Sequence, residues 1–197
     1  MFEKQVIRSF IAIEIPQEIK TSISQMQAQM KLSKLNFIKW VSPEGMHITL
    51  KFLGNTFSEK VQEITDAIRE ASRGTSPISI EIGGLGAFPN INRARVLWLG
   101  IGGEIAKLVE LQKKIDDSLV TFGFPKEIRP FSPHITLARV RESASYHDQQ
   151  DFGRLISSTQ FDVTGMLSID IVNLMKSQLL PTGAIYNRLA TVELDKN

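Results

Sequence analysis

No cysteine occurs among the 197 residues. That excludes disulfides, thiolate metal sites and thiol nucleophiles together, and gives no reason to place the chain in an oxidising compartment. Blocks of Lys and Arg are missing as well. With a formal charge of +2 and a pI near 8.9, any bound anion has to be held by local groups rather than by a broad basic surface. The opening MFEKQVIRSFIAIEI contains only a short apolar stretch, broken by Arg8 and closed by Glu14 and Pro16. It shows no small-residue cleavage pattern and is too short to span a membrane, so a cytoplasmic protein with no membrane partner is expected. GGLGAF lacks dinucleotide or Walker spacing and reads as a turn, and no histidine or cysteine stands at ligand spacing from another. No metal and no cofactor are expected.

What is present is ordinary globular material, 42% hydrophobic and 22% charged, with no low-complexity linker. At this length residues 1–197 are expected to form one domain or two small lobes. Strands and helices alternate. Arg8 to Ile15 reads as a strand, and Pro16 opens a helix carrying Ile19, Ile23, Met26 and Met30 on one side. Ser58 is placed to cap a second helix with the stripe Val61, Ile64, Ile68 and Ala71, ending near Gly74. Strands follow at 78–82 and 94–101 around a loop at 83–93, and a third helix runs from Glu104 to about Phe122, stopped by Gly123. The polar segment 141–151 reads as a loop before a short helix. Closing strands at about 165–175 and 185–193 flank the turn LLPTGAI.

Only three histidines are present, and two of them open the same tetrapeptide: HITL at 47–50 and again at 134–137. A single half-buried strand of that composition would mean little, but two copies 87 positions apart need an explanation. On a strand His47 shares a face with Thr49, and His134 with Thr136, while Ile48, Leu50, Phe52, Ile135 and Leu137 point into a core. Two imidazoles with two hydroxyls suit in-line displacement at phosphorus, which has an attacking and a leaving oxygen on opposite sides of a planar phosphoryl group. One histidine serves as base and the other as acid, and the threonines donate to non-bridging oxygens. Symmetry alone does not say which histidine has which role.

The chain resembles the 2H phosphoesterase superfamily, and within it the RNA 2′,3′-cyclic phosphodiesterase group, historically labelled 2′-5′ RNA ligases. The resemblance is carried by RSFIAIEIP, KWVSPEGMHITLKFLG, GGLGAFPNINRARVLWLGI, RPFSPHITLARV and LMKSQLLPTGAIY. It implies an α+β, bilobal fold of two antiparallel sheets with outer helices, both motifs meeting in a central cleft. It also implies that His47 is the proton donor, His134 the acceptor, Thr49 and Thr136 phosphate ligands, and Arg139 a further anion-binding group. Strict alternation turns Arg139 away from the histidine face; strand-end twist or a bulge would bring it back.

The activity implied is metal-independent opening of a 2′,3′-cyclic phosphate at an RNA or nucleotide terminus, leaving a 2′-phosphate, by a protein acting as a monomer. Three alternatives stay open at this level: 2′-5′ ligation by the reverse chemistry, cleavage of a small 2′-5′-linked nucleotide, and noncatalytic binding of RNA ends. Other residues receive plainer readings. His147 is expected to be solvated in a polar loop, and Trp98 to lie in the core. Trp40, Phe88 and Phe131 are expected to pack rather than to stack a base, and Lys51 shares the nominal face of His47.

Overall fold

A computed structural model describes residues 5–161, 165–180 and 183–195. Strand β1, Val6–Glu14, alternates and buries Ile7, Ile11 and Ile13 against the core. Pro16, with φ −59°, precedes helix α1, Gln17–Lys31, whose buried stripe is Ile19, Ile23, Met26 and Met30. Strands β2, Ile38–Trp40, and β3, His47–Phe57, lead to helix α2, Val61–Ser72. Ser58, expected to cap α2, instead begins a 3₁₀ turn, and α2 has no side-chain cap.

Strand β4, Ile78–Phe88, passes straight through the glycine-rich stretch expected to be a loop. Gly84 allows it: at φ 71° it is the extra residue of a bulge against β5, Val96–Gly103. Helix α3, Ile105–Ser118, continues as a 3₁₀ turn to Phe122 and stops at Gly123. Strand β6, His134–Val140, precedes helix α4, Tyr146–Ser158. That helix starts inside the polar segment expected as a loop, because Ser145 and Asp148 cap each other's backbone N–H groups reciprocally. Strands β7, Met166–Ile169, β8, Ile171–Leu180, and β9, Gly183–Glu193, close the chain. The centre of the LLPTGAI turn lies outside the described residues; Leu180 and Gly183 pair across it.

The nine strands join in one antiparallel sheet ordered β7-β4-β5-β6-β3-β1-β8-β9, with β2 beside β6. The two sheets implied by the resemblance are its halves. They meet where β3 touches β6 through a single register pair, Ile48 with Ile135. Counting outward from that pair, β1 corresponds to β5 and β8 to β4, so the seam is a local two-fold axis. Both isoleucines are fully buried in one apolar cluster with Ile23 of α1, Ile64 of α2, Leu108 of α3 and Phe152 of α4. The helices therefore cover one face of the sheet. The opposite face is left for other work. Among the described residues, no helix is long and apolar enough to cross a membrane.

Candidate active site

Burying Ile48 and Ile135 at the seam forces their neighbours His47, Thr49, His134 and Thr136 onto the uncovered face. An antiparallel register through that pair directs His47 towards Thr136 and His134 towards Thr49. All four side chains are half-buried. Each ring is anchored in the same way. His47 Nδ1 lies 2.8 Å from the Gly45 carbonyl and His134 Nδ1 lies 2.7 Å from the Ser132 carbonyl, two residues earlier in both cases. A carbonyl only accepts, so Nδ1 carries a proton in both rings, and Nε2 is the atom left to exchange one. Neither threonine hydroxyl has a protein partner among the described residues.

The surroundings of the two rings differ. His47 packs against Phe10, with centroids 4.8 Å apart, and meets the edge of Tyr186 at 5.0 Å. His134 meets Phe88 edge-on at 5.1 Å, with Trp98 at 6.4 Å. Burial is the largest influence on His47 and holds it below the ordinary histidine range; the Gly45 carbonyl and the Glu14 carboxylate oppose this, while Lys20 and His134 add to it. Glu14 stands directly across from His47 in the β1–β3 register. Its Oε2 accepts hydrogen bonds from Asn173 Nδ2 and Arg188 Nε, both at 2.8 Å, and Thr191 donates in turn to Asn173 at 2.9 Å.

Bulges set the rest of the site. Against β5, Leu97 faces Ala138 and Trp98 faces Thr136, leaving Leu137 as an extra residue in β6. The alternation inverts there. Ala138 becomes buried and Arg139 exposed on the histidine side. Arg139 has no ion-pair partner among the described residues. In β3 one extra residue is Leu50, with Ala12 facing Thr49 and Ile11 facing Lys51, and a second is Leu53, with Phe10 facing Phe52 and Ser9 facing Gly54. Phe52 is consequently 63% exposed, not an anchor of the core, and Lys51 is buried, not on the face of His47. The Lys51 ammonium pairs with Asp116 on α3 and donates to the Pro125 carbonyl at 2.7 Å. The bulges at Leu137 and Leu50 each receive a buried glutamine from a helix. Gln27 of α1 donates to the Leu137 carbonyl at 3.0 Å, and Gln112 of α3 donates to the Leu50 carbonyl at 3.3 Å.

Trp98 also departs from expectation: it is half-buried on the site face, lying across β4. A Cβ on Gly86 would come within 2.1 Å of its ring, so glycine is required there to seat it. Trp40 stands apart, with the Lys31 ammonium 5.7 Å from its ring centroid, on the wall of a cavity of about 220 Å³ that holds none of the site residues. Phe131 packs on the main core. His147 is on α4 rather than in a loop, 74% exposed and 3.7 Å from Asp151. Among the described residues no three His, Cys, Asp or Glu side chains gather as a metal site. Glu14, Tyr186 and the two glutamines carried no local signal in the sequence, because their partners are distant in the chain.

Two half-sheets that each deliver a His-x-Thr pair to a shared cleft define a two-histidine phosphoesterase fold. The family model described as LigT-like phosphoesterase matches residues 13–98 and again 100–186, one match over each motif-bearing half. The chain belongs to that family. It is 37% identical over 180 residues to a Methanocaldococcus jannaschii protein named RNA 2′,3′-cyclic phosphodiesterase, covering 91% of this chain and 96% of that one. A Methanothermobacter thermautotrophicus protein of the same name is 32% identical over 188 residues, covering 95% and 99%. Among solved structures, a Thermus thermophilus protein superposes with a TM-score of 0.76 at 26% identity, covering 95% of this chain and 98% of that one. Escherichia coli LigT in apo form gives 0.75 at 22% identity, covering 98% and 99%, a likeness of fold.

Proposed function

We propose that this chain, acting as one bilobal domain, hydrolyses the 2′,3′-cyclic phosphate at the end of an RNA to a 2′-phosphate. The observation that carries the reading is the matched anchoring of the two imidazoles. Each has Nδ1 tied to a carbonyl and Nε2 free, and the two come from opposite halves into one cleft. The names borne by the curated relatives support the substrate class.

His134 Nε2 takes a proton from water as the water oxygen attacks phosphorus. The P–O3′ bond breaks on the far side, and His47 Nε2 gives its proton to O3′. The product carries a 2′-phosphate and a 3′-hydroxyl, and the two rings have exchanged protonation states. Thr49 and Thr136 donate to the non-bridging oxygens, and Arg139 adds positive charge beside them. Burial works against keeping His47 protonated, and two negative groups offset it: Glu14 across the strand pair and the phosphodiester itself.

The test is incubation of the purified chain with cyclic-phosphate mononucleotides and oligonucleotides, following ring opening. Both proton transfers are assigned to side chains of the protein, so turnover is expected to survive EDTA. No ring opening with any of these substrates would overturn the reading.

A further inference from the structure

Each histidine is approached by a segment that carries the carbonyl of its anchor, Gly45 for His47 and Ser132 for His134. The two approaches are held by different means. Ile38 and Trp40, nine and seven residues before His47, lie in β2 and pair with Val140 and Ala138 of β6, and the Val41 N–H donates to the Leu137 carbonyl at 2.8 Å just beyond them. The positions nine and seven residues before His134 are Pro125 and Glu127, and they belong to no strand. Residues 125–130 are all exposed, and Pro125, Pro130 and Pro133 have no N–H to offer a neighbouring strand.

One buried ion pair, reaching over from β3 and α3, stands where the ladder is missing. Lys51 Nζ donates to the Pro125 carbonyl at 2.7 Å, Asp116 Oδ2 accepts from the Glu127 N–H at 3.2 Å, and the ammonium and carboxylate hold each other. The clamp closes on both ends of the same tripeptide. Lys126, between them, pairs with Asp117 at 2.5 Å, but both of those side chains are exposed and such a pair contributes little. Beyond the clamp, Phe131 packs on the main core, and Pro130 and Pro133 fix φ on either side of Phe131 and Ser132. A shift at the clamped end therefore meets few soft torsions before it reaches the Ser132 carbonyl.

We propose that Lys51, together with Asp116, is a positioning residue for His134: the pair takes the place of a strand and holds the approach so that the Ser132 carbonyl meets Nδ1 and leaves Nε2 free. Both side chains lie on the helix-covered face, away from the cleft. The kinetic consequence rests on the reading above, in which His134 is the base, and it falls on kcat rather than KM. The experiment uses the double variant Lys51→Met with Asp116→Leu, which removes the clamp without leaving a buried charge. With a 2′,3′-cyclic nucleotide as substrate, kcat should fall about 10- to 100-fold with KM little changed, the scale of a small misplacement of a reacting group.

Ring-nitrogen NMR of the histidine-labelled chain, at a pH where the imidazoles are neutral, supplies a readout that lost stability alone would not move. In wild type His47 and His134 should both be the Nδ1–H tautomer. In the double variant His134 should become a mixture, while His47, whose approach is held by β2, keeps its tautomer. Wild-type kcat in the double variant, an unchanged His134 tautomer, or an equal change in both rings would overturn the positioning role. Hydrogen exchange on wild type tests the clamp without any variant: the Glu127 amide should exchange more slowly than those of Lys126 and Ile128, and equal rates would overturn it. A His134 ring that changes in the double variant, in a chain whose wild type opens no cyclic phosphate, would sink the base assignment and leave the positioning role standing.

Discussion

Gln27 and Gln112 do the same job in opposite halves of the sheet: each reaches from a helix to the carbonyl of the bulged leucine that follows a His-x-Thr motif. Gln27 also donates to the Val41 carbonyl at 3.0 Å, and both side chains are buried. A bulge takes a carbonyl out of the regular ladder, and a carbonyl buried under a helix without a donor is costly. The glutamines thus stabilise the inversion that exposes Arg139 and Phe52. Replacing either by Leu is expected to cost about 1–3 kcal/mol, because a buried polar group loses its partner. Urea unfolding should show a lower midpoint at unchanged slope.

These bulges also mark where sequence reasoning stopped. The two motifs and the strand character around them were legible because their alternation is local. Leu50 and Leu137 look like any other inward residue, and what makes them bulge is a glutamine far away in the chain. Alternation accordingly placed Phe52 inside and Lys51 outside, the reverse of the structure. It also left Arg139 facing away unless strand-end twist or a bulge returned it, and the bulge at Leu137 is what does so. In GGLGAF the glycines suggested a turn. Their use is to bulge a long strand at Gly84 and to seat Trp98 over Gly86, a contact between strands with no signature in either one.

The displaced lysine gives a stability prediction. Lys51 and Asp116 form an ion pair with side chains only 2% and 11% exposed. Removing one partner leaves a charge in a poorly solvated site, so Lys51→Met is expected to cost about 3–5 kcal/mol. The double change Lys51→Met with Asp116→Leu should recover much of that loss. A double-mutant cycle by urea unfolding measures the coupling, and additive losses would show that the pair does not interact as described.

Gly86→Ala tests the support beneath His134. The added methyl collides with the Trp98 ring, which contacts Phe88 at 5.2 Å, and both rings touch His134. A displaced imidazole should lower kcat by about 10- to 100-fold, the scale of small misplacements of a reacting group. Steady-state kinetics beside tryptophan fluorescence checks it, since the indole must move if the explanation holds.

The pH profile follows from the environment of His47. As the proposed acid it must be protonated, and burial holds it below the ordinary range. The alkaline limb of kcat/KM, which reports the free enzyme, should therefore fall at lower pH than for an unperturbed histidine. Bound phosphodiester adds a negative charge beside the ring, so the same limb in kcat should lie at higher pH. Glu14 also favours the imidazolium, whereas Lys20 and His134 oppose it. Glu14→Gln removes the favourable charge, so the limb in kcat/KM should shift further towards low pH. An unmoved limb would show that Glu14 is not coupled to the acid.

The assignment of acid and base is tested by which bond breaks. His47→Ala and His134→Ala should each lower turnover by about 10²- to 10⁴-fold without unfolding the chain, but equal losses do not say which ring protonates the leaving group. The cyclic phosphate has two candidate leaving oxygens, and in-line attack requires the departing one to lie opposite the water. Arg139 lies on the same strand as His134, and aromatic rings flank both histidines, Phe10 and Tyr186 at His47 and Phe88 and Trp98 at His134; it is the proposed roles that put the ribose on the His47 side. With the ribose held there and O3′ facing His47, the phosphate must remain on O2′. Phosphorus NMR of the product from a 2′,3′-cyclic nucleotide distinguishes the two monoesters. A product that is mainly 3′-phosphate would reverse the pose, and with it the roles of the two histidines, even if both prove essential.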